Sequence, residues 1–173
     1  MAGVPDRGSC SGRYRERMTV TLITLSSDDW RVWRSLRLAA LTEAPDAFGS
    51  RLADWIDADE SRWRDRLSIS GAIDLVALDG GAGSPIGMVT GTPSARPGAG
   101  VELISMWVDP AARGRGVGTL LIDAVATWAA AAGAPRLELS VMAQNEPARR
   151  TYERNAFAVA ASSRDELTMT RAL

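Results

Sequence analysis

Histidine is absent from the 173-residue chain. That excludes every mechanism needing an imidazole base, such as a Ser-His-Asp triad, and removes the commonest metal ligand. Cysteine occurs once, at Cys10, so no internal disulfide can form and a reducing, cytoplasmic setting is expected. No apolar run approaches the roughly 20 residues of a membrane helix. Neither sign of charge prevails: the formal net charge is −1, without the basic excess usual in nucleic-acid and membrane binders. A local basic patch stays open. What remains is ordinary for a soluble protein, with 46% apolar and 24% charged residues, and the length suits one domain with a full core.

Residues 1–17, MAGVPDRGSCSGRYRER, are polar and glycine-rich and lack the apolar segment of a signal peptide. They are expected to be a disordered arm, or upstream sequence ahead of a natural start at Met18, with a single domain over 18–173. TVTLITL (19–25) alternates and is β-branched, which reads as a strand. In SSDDW, Ser26 and Asp29 stand three apart, close to a capping box. Trp30, Trp33, Leu36, Arg37, Ala40 and Leu41 follow at helical spacing until Pro45 breaks the pattern. A second helix is expected over about 58–69. AIDLVALDGG and SPIGMVTGTPS read as two strands, and GVELISMWVDP as a third that Pro110 stops. The third helix, about 116–132, places Val117, Leu120, Leu121, Ala124, Val125 and Trp128 on one face and ends at Gly133. PRLELSVMA is a strand. NEPARRTYERN is a short helix with Asn145 as its cap and Pro147 in its first turn, and AFAVAA and DELTMTRAL close the chain as strands. The order is β-α-α-β-β-β-α-β-α-β-β, with no repeat and no linker.

The most unusual stretch is DPAARGRGVGTLLIDAVATW (109–128), where arginines and glycines alternate in front of an apolar helix. A plain turn needs at most one glycine. A helix amino terminus carries unpaired N–H groups and about half a positive charge. Glycines let the backbone approach an anion and adopt positive φ. Together they form a cradle for a pyrophosphate. The stretch lacks the lysine of a P-loop and is not the Gly-x-Gly-x-x-Gly of a dinucleotide fold. A flexible glycine turn is the plain alternative.

Arg113-Gly114-Arg115-Gly116-Val117-Gly118 follows a strand ending in Val-Asp-Pro and opens an amphipathic helix. Asn145, Ala148, Tyr152 and Asn155-Ala156-Phe157 come next at matching spacing. In these motifs, and in its element order from about Thr19, the chain resembles the GNAT superfamily of acetyl-coenzyme A-dependent N-acetyltransferases. Where that family normally has Gly-Phe, this chain has Ala156-Phe157. The resemblance implies an α/β (α+β) domain: a mixed, mostly antiparallel sheet of about six or seven strands, splayed between the fourth and fifth, with about four flanking helices.

The resemblance also implies roles. Arg113 to Gly118 and Thr119 would hold the cofactor's pyrophosphate. The backbone of Met106, Trp107 and Val108 would bind the pantetheine arm and offer an N–H to the acetyl oxygen, while their side chains have a plain reading as core. Asn145 and Ala148 would touch the cofactor, and Arg149 and Arg150 are as readily solvated arginines as partners of the adenosine phosphate. Tyr152 would hydrogen-bond the leaving sulfur, or simply pack on Phe157. Glu102 would act as base through a relayed water, or simply face solvent. An alkylammonium with a pKa of about 10.4 is neutral in roughly 1 molecule in 2,000 near pH 7, so a base helps.

On the acceptor side, Asp46, Phe48 and Trp55 lie in the segment between the first two helices, which lines the acceptor pocket in this family. The two aromatics have an equally plain reading as core closure. The expected activity is transfer of acetyl from acetyl-CoA to a primary amine of a small molecule, with no metal, nucleic acid or membrane involved and a homodimer left open. Protein amino termini or lysines are the alternative acceptors. A non-catalytic acyl-CoA-binding module is the alternative of another class.

Overall fold

The computed structural model describes residues 19–95, 98 and 100–173. The expected arm, Cys10 and Tyr14 lie outside the described residues. Strand β1 (Val20–Thr24) leads into helix α1 (Trp30–Glu43) and then α2 (Glu60–Arg66). Strands β2 (Ile73–Asp79), β3 (Pro85–Pro93) and β4 (Val101–Val108) follow. Helix α3 (Val117–Ala131), β5 (Arg136–Met142), α4 (Glu146–Arg154), β6 (Ala158–Ser162) and β7 (Glu166–Ala172) complete the chain. The strands form one seven-stranded sheet in the order β1-β2-β3-β4-β5-β7-β6. β4 and β5 run parallel and every other neighbouring pair is antiparallel. The expected element order and the mixed sheet are both present.

Alternate residues of the strands feed two cores. Leu75, Ala77, Val89 and Leu103 face α3, and Ala148 and Tyr152 of α4 pack on the same side. Val76, Met88 and Trp107 face Trp33, Leu36 and Ala40 of α1 and Trp63 of α2. Two glycines let α3 sit close to β3: a Cβ on Gly91 would lie 2.7 Å from Val125 Cγ1, and one on Gly87 would lie 3.2 Å from Leu121 Cδ1.

Two expectations shift. Helix α2 is shorter than 58–69. Asp59 caps its start by accepting a hydrogen bond from the Arg62 amide, and the backbone turns off at Leu67. On α3, Leu120 points to solvent, while Ile122, Ala126 and Ala129 are buried with Val117, Leu121 and Val125. That helix is apolar almost all round, so periodicity alone does not select the face that meets the sheet.

Strand β4 is irregular on both of its edges. Its register against β3 slips between Met88 and Thr90, and Ser105, inside that slip, has φ of 54°. Such a left-handed serine in a strand marks a bulge. Against β5, only Val101 opposite Leu137 and Glu102 opposite Glu138 are paired. Beyond those two rungs the parallel strands part.

Candidate active site

The parting of β4 from β5 opens the sheet from Leu103 onward. A cavity of about 750 Å³ lies there, lined by Met106, Trp107 and Val108 of β4, the start of α3, and Asn145, Ala148 and Tyr152 of α4. Gly114 (φ 75°) and Gly116 (φ 84°) are both left-handed, and Gly116 is the N-cap of α3. No side chain caps that helix. The amides of its first turn, Val117 to Thr119, are therefore among the unpaired donors that every helix start leaves. A Cβ placed on Gly114 or Gly116 would meet nothing within 4 Å, so the space in front of the turn is open. Gly118 is closer set, its added Cβ lying 3.3 Å from Met106 Cε. Open approach, positive-φ glycines and free amides together suit the pyrophosphate of a coenzyme A-type group.

Of the residues expected to hold the cofactor, Met106, Trp107, Val108, Arg113, Gly114, Gly116, Val117, Gly118, Thr119, Asn145 and Ala148 all line this cavity, and Arg115 does not. The side chain of Arg113 is engaged within the protein. Its Nε donates to the Val108 carbonyl at 3.0 Å and its NH2 to Glu43 at 2.7 Å. Glu43 also accepts from the Trp107 indole at 3.0 Å. These bonds, from Arg113 first and Trp107 second, hold the Glu43 carboxyl below its ordinary value. Trp107 is buried in the α1 core, so its side chain is structural while its backbone borders the open edge. Asn145 caps α4, its Oδ1 accepting from the Ala148 amide. Arg149 turns to the Ala143 carbonyl, whereas Arg150 and Arg154 line the cavity.

A second cavity, about 440 Å³, is lined by Trp33, Arg37, Phe48, Trp55, Arg66, Glu102, Glu166 and Tyr152, among others. Ala47, Phe48, Met106 and Tyr152 line both cavities, so the two meet at those residues. Tyr152 packs edge-on against Phe157 with ring centroids 5.7 Å apart, and its burial pushes the phenol up to about 12. The hydroxyl is thus a proton donor through the whole physiological range. Glu102 lies at the last closed rung between β4 and β5, on the rim of the second cavity.

Phe48 and Trp55 reach the second cavity, as expected, and they also pack on the α1 core. Asp46 is exposed in the short 3-10 turn Pro45–Ala47 and lines neither cavity. The acidic side chains at the chamber come instead from Glu102 and Glu166. Three further residues have no forewarning in the motifs. Glu43 is hidden because its partners lie far along the chain. Arg37 falls on the buried stripe of α1, and a charge in an otherwise apolar stripe is the one signal it offers. Arg66 donates to Asp74 at 3.2 Å, to Thr90 at 2.7 Å and to Ser105 at 3.3 Å, which pins the β4 bulge to β2 and β3.

Residues 30–157 match the acetyltransferase (GNAT) family. A mycothiol acetyltransferase from Beutenbergia cavernae is 31% identical over 125 residues, which are 72% of this chain and 40% of that protein. The match therefore spans two fifths of the length of this curated relative. A PaiA N-acetyltransferase from Thermoplasma acidophilum, solved with coenzyme A, superposes with a TM-score of 0.73 at 18% identity, covering 90% of this chain and 100% of that one. A GCN5-related N-acetyltransferase from Kribbella flavida gives 0.73 at 22% identity, with 89% and 98% covered. Identities this low speak for a shared fold.

Proposed function

Because the chain belongs to the acetyltransferase (GNAT) family, we propose that it moves an acetyl group from acetyl-CoA to a primary amine of a small molecule, by direct attack with both bound at once. The observation that carries this reading is the junction of the two cavities at Met106 and Tyr152. Acetyl-CoA, when bound, supplies an acetyl thioester. The amides of Val117, Gly118 and Thr119 would hold its pyrophosphate, and the unpaired edge of β4 its pantetheine amides. Glu102, on the other side of the junction, takes the amine proton through a relayed water. Tyr152, as a neutral phenol, donates to the departing sulfur. Backbone N–H groups at the parted end of β4 would stabilise negative charge on the acetyl oxygen.

The chamber favours a small acceptor over a protein terminus or lysine. It is walled on several sides, by α1, the loop at 47–50, β4 and β5, and its volume is that of a small-molecule site. Glu102 and Tyr152 both bordering it argues for catalysis over mere acyl-CoA binding. The test has two stages. Acetyl-CoA at about 100 times its dissociation constant should stabilise the fold by about 2.7 kcal/mol, and NAD or ATP much less. Thiol release from acetyl-CoA is then followed across a panel of amines. A chain that no CoA species stabilises lacks the proposed cofactor site, and one that binds acetyl-CoA without releasing thiol to any amine is a binding module.

A further inference from the structure

One buried cation in the acceptor chamber has no ion-pair partner among the described residues. Arg37 lines that chamber and is only 8% exposed. Its NH1 is buried and has no hydrogen-bond partner, and no ion pair to its guanidinium is found among the described residues. The group stacks on Phe48, 4.6 Å from the ring centroid. Burial, and after it the nearby Arg66, draws its pKa down to about 10 from 12.5. It therefore remains a cation at neutral pH. Arg66 differs, since Asp74, itself buried, balances its charge from within the protein. A buried charge without a partner is strongly unfavourable, so a site that retains one is incomplete without an anion.

We propose that the acceptor is an amine that also carries a carboxylate, and that Arg37 binds this carboxylate while the amine lies toward Glu102 and Tyr152. The assignment rests on the reading of the chamber as the acceptor site. Charge selects the carboxylate. One cation matches one negative charge, whereas a phosphomonoester carries about −1.5 to −2, more than Arg37 balances in a chamber that also holds Glu102 and Glu166. Geometry agrees. A guanidinium seated over an aromatic ring can still donate through its edge to the two oxygens of a carboxylate. Glu102 and Glu166 give the chamber a complementary, acidic side for the ammonium. An amino acid or short peptide with a free amino group has this pattern of charges.

The experiment offers the full chain acceptors in matched pairs: amino acids and dipeptides with a free carboxylate against the same compounds as amides, with O-phosphoethanolamine as a third arm. Thiol release from acetyl-CoA is the readout. At least one carboxylate should exceed its amide in kcat/KM by about 10-fold or more, the size of a charge-assisted hydrogen bond. In Arg37→Gln that preference should collapse through a raised KM for the carboxylate. Amides used equally well, a preference that survives Arg37→Gln, or better use of O-phosphoethanolamine each overturns the proposal. If Arg37→Gln does not fold, the wild-type comparison decides, with Arg37→Lys as the charge-retaining variant that should keep part of the preference. Release to none of these acceptors, with acetyl-CoA still raising Tm, overturns the carboxylate assignment and leaves the cofactor reading standing. Absence of any acetyl-CoA shift overturns the reading of the site itself.

Discussion

Glu43 and Arg113 are separated by 70 positions in the chain and meet at 2.7 Å in the wall of the larger cavity. Through Trp107 and Val108, the same two residues tie the end of α1 to the last turn of backbone before the glycine-rich loop. The loop is thereby anchored by side chains on one flank and left free at its amides.

The anchoring has a pH signature. Glu43 has a folded-state pKa below its ordinary 4.5. Its contribution to stability is therefore complete above that value and is lost as pH falls through the lowered one. Glu43→Gln should lower Tm at pH 7, and the gap from wild type should narrow as pH drops below about 4.5. Thermal melts at several pH values measure it. A gap of the same size at pH 7 and at pH 3 would show that the carboxylate charge contributes nothing.

Ala156 stands just past the end of α4 with φ of 64°. A left-handed alanine is disfavoured by roughly 1–2 kcal/mol, partly offset by the greater entropy that glycine loses on folding. Ala156→Gly should therefore stabilise the fold by up to about 1 kcal/mol, or a few degrees in Tm for a chain of this size. Activity should be unaffected. Equal or lower stability would mean that the surroundings hold the alanine without strain.

Much of this architecture is legible in the chain itself. The element order follows from hydrophobic period and from Pro45, Pro110 and Gly133 as punctuation. The loop at Arg113–Gly118 is legible because glycines are needed wherever backbone turns left-handed near an anion, and Gly114 and Gly116 do turn so. The acceptor chamber is legible only in part. Phe48, Trp55 and Glu102 reach it as expected, whereas Arg37, Arg66 and Glu166 come from three separate elements that only the fold brings together. The Ser105 bulge is equally hidden, because it arises from one extra residue in β4 relative to β3. Leu120 misleads because an all-round apolar helix hides its own buried face.

Two glycines separate binding from folding. Gly116→Val forces φ of 84° on a β-branched residue in a turn with open space before it, so acetyl-CoA affinity should fall strongly while the core is untouched. Gly91→Ala pushes a methyl to 2.7 Å from Val125, against the α3 core, and should lower stability by about 1–3 kcal/mol. Isothermal titration with acetyl-CoA and chemical denaturation, run on both variants, should give opposite rankings. The same ranking in both assays would place the glycine-rich loop in the fold alone.

Tyr152→Phe keeps the edge contact with Phe157 and removes one hydroxyl. Turnover should fall by roughly 10²–10⁴-fold, the range of a positioned acid, with acetyl-CoA affinity nearly intact. Because the phenol is pushed up to about 12, the wild-type pH–rate profile should show no loss attributable to Tyr152 near pH 10. Normal turnover in the variant would reduce the tyrosine to packing.

Glu102→Gln should lower activity most at low pH and recover as pH rises toward the amine's own pKa, because a deprotonated amine needs no base. Rates are compared with one acceptor from pH 6 to pH 10, a window set by the alkylammonium value of about 10.4. A uniform loss at every pH would assign Glu102 to acceptor binding instead.

The parted strands carry one more consequence. A row of unpaired amides and carbonyls on the rim of a sheet invites strands from other molecules, and proteins usually blunt such rims. Here the bare stretch of β4 is interior. β3 covers its other side, β7 covers the far side of β5, and two closed rungs seal one end. The molecule thus keeps a length of unspent peptide groups in reserve without exposing an aggregation-prone border, and only a slender guest entering through the open end can complete the ladder.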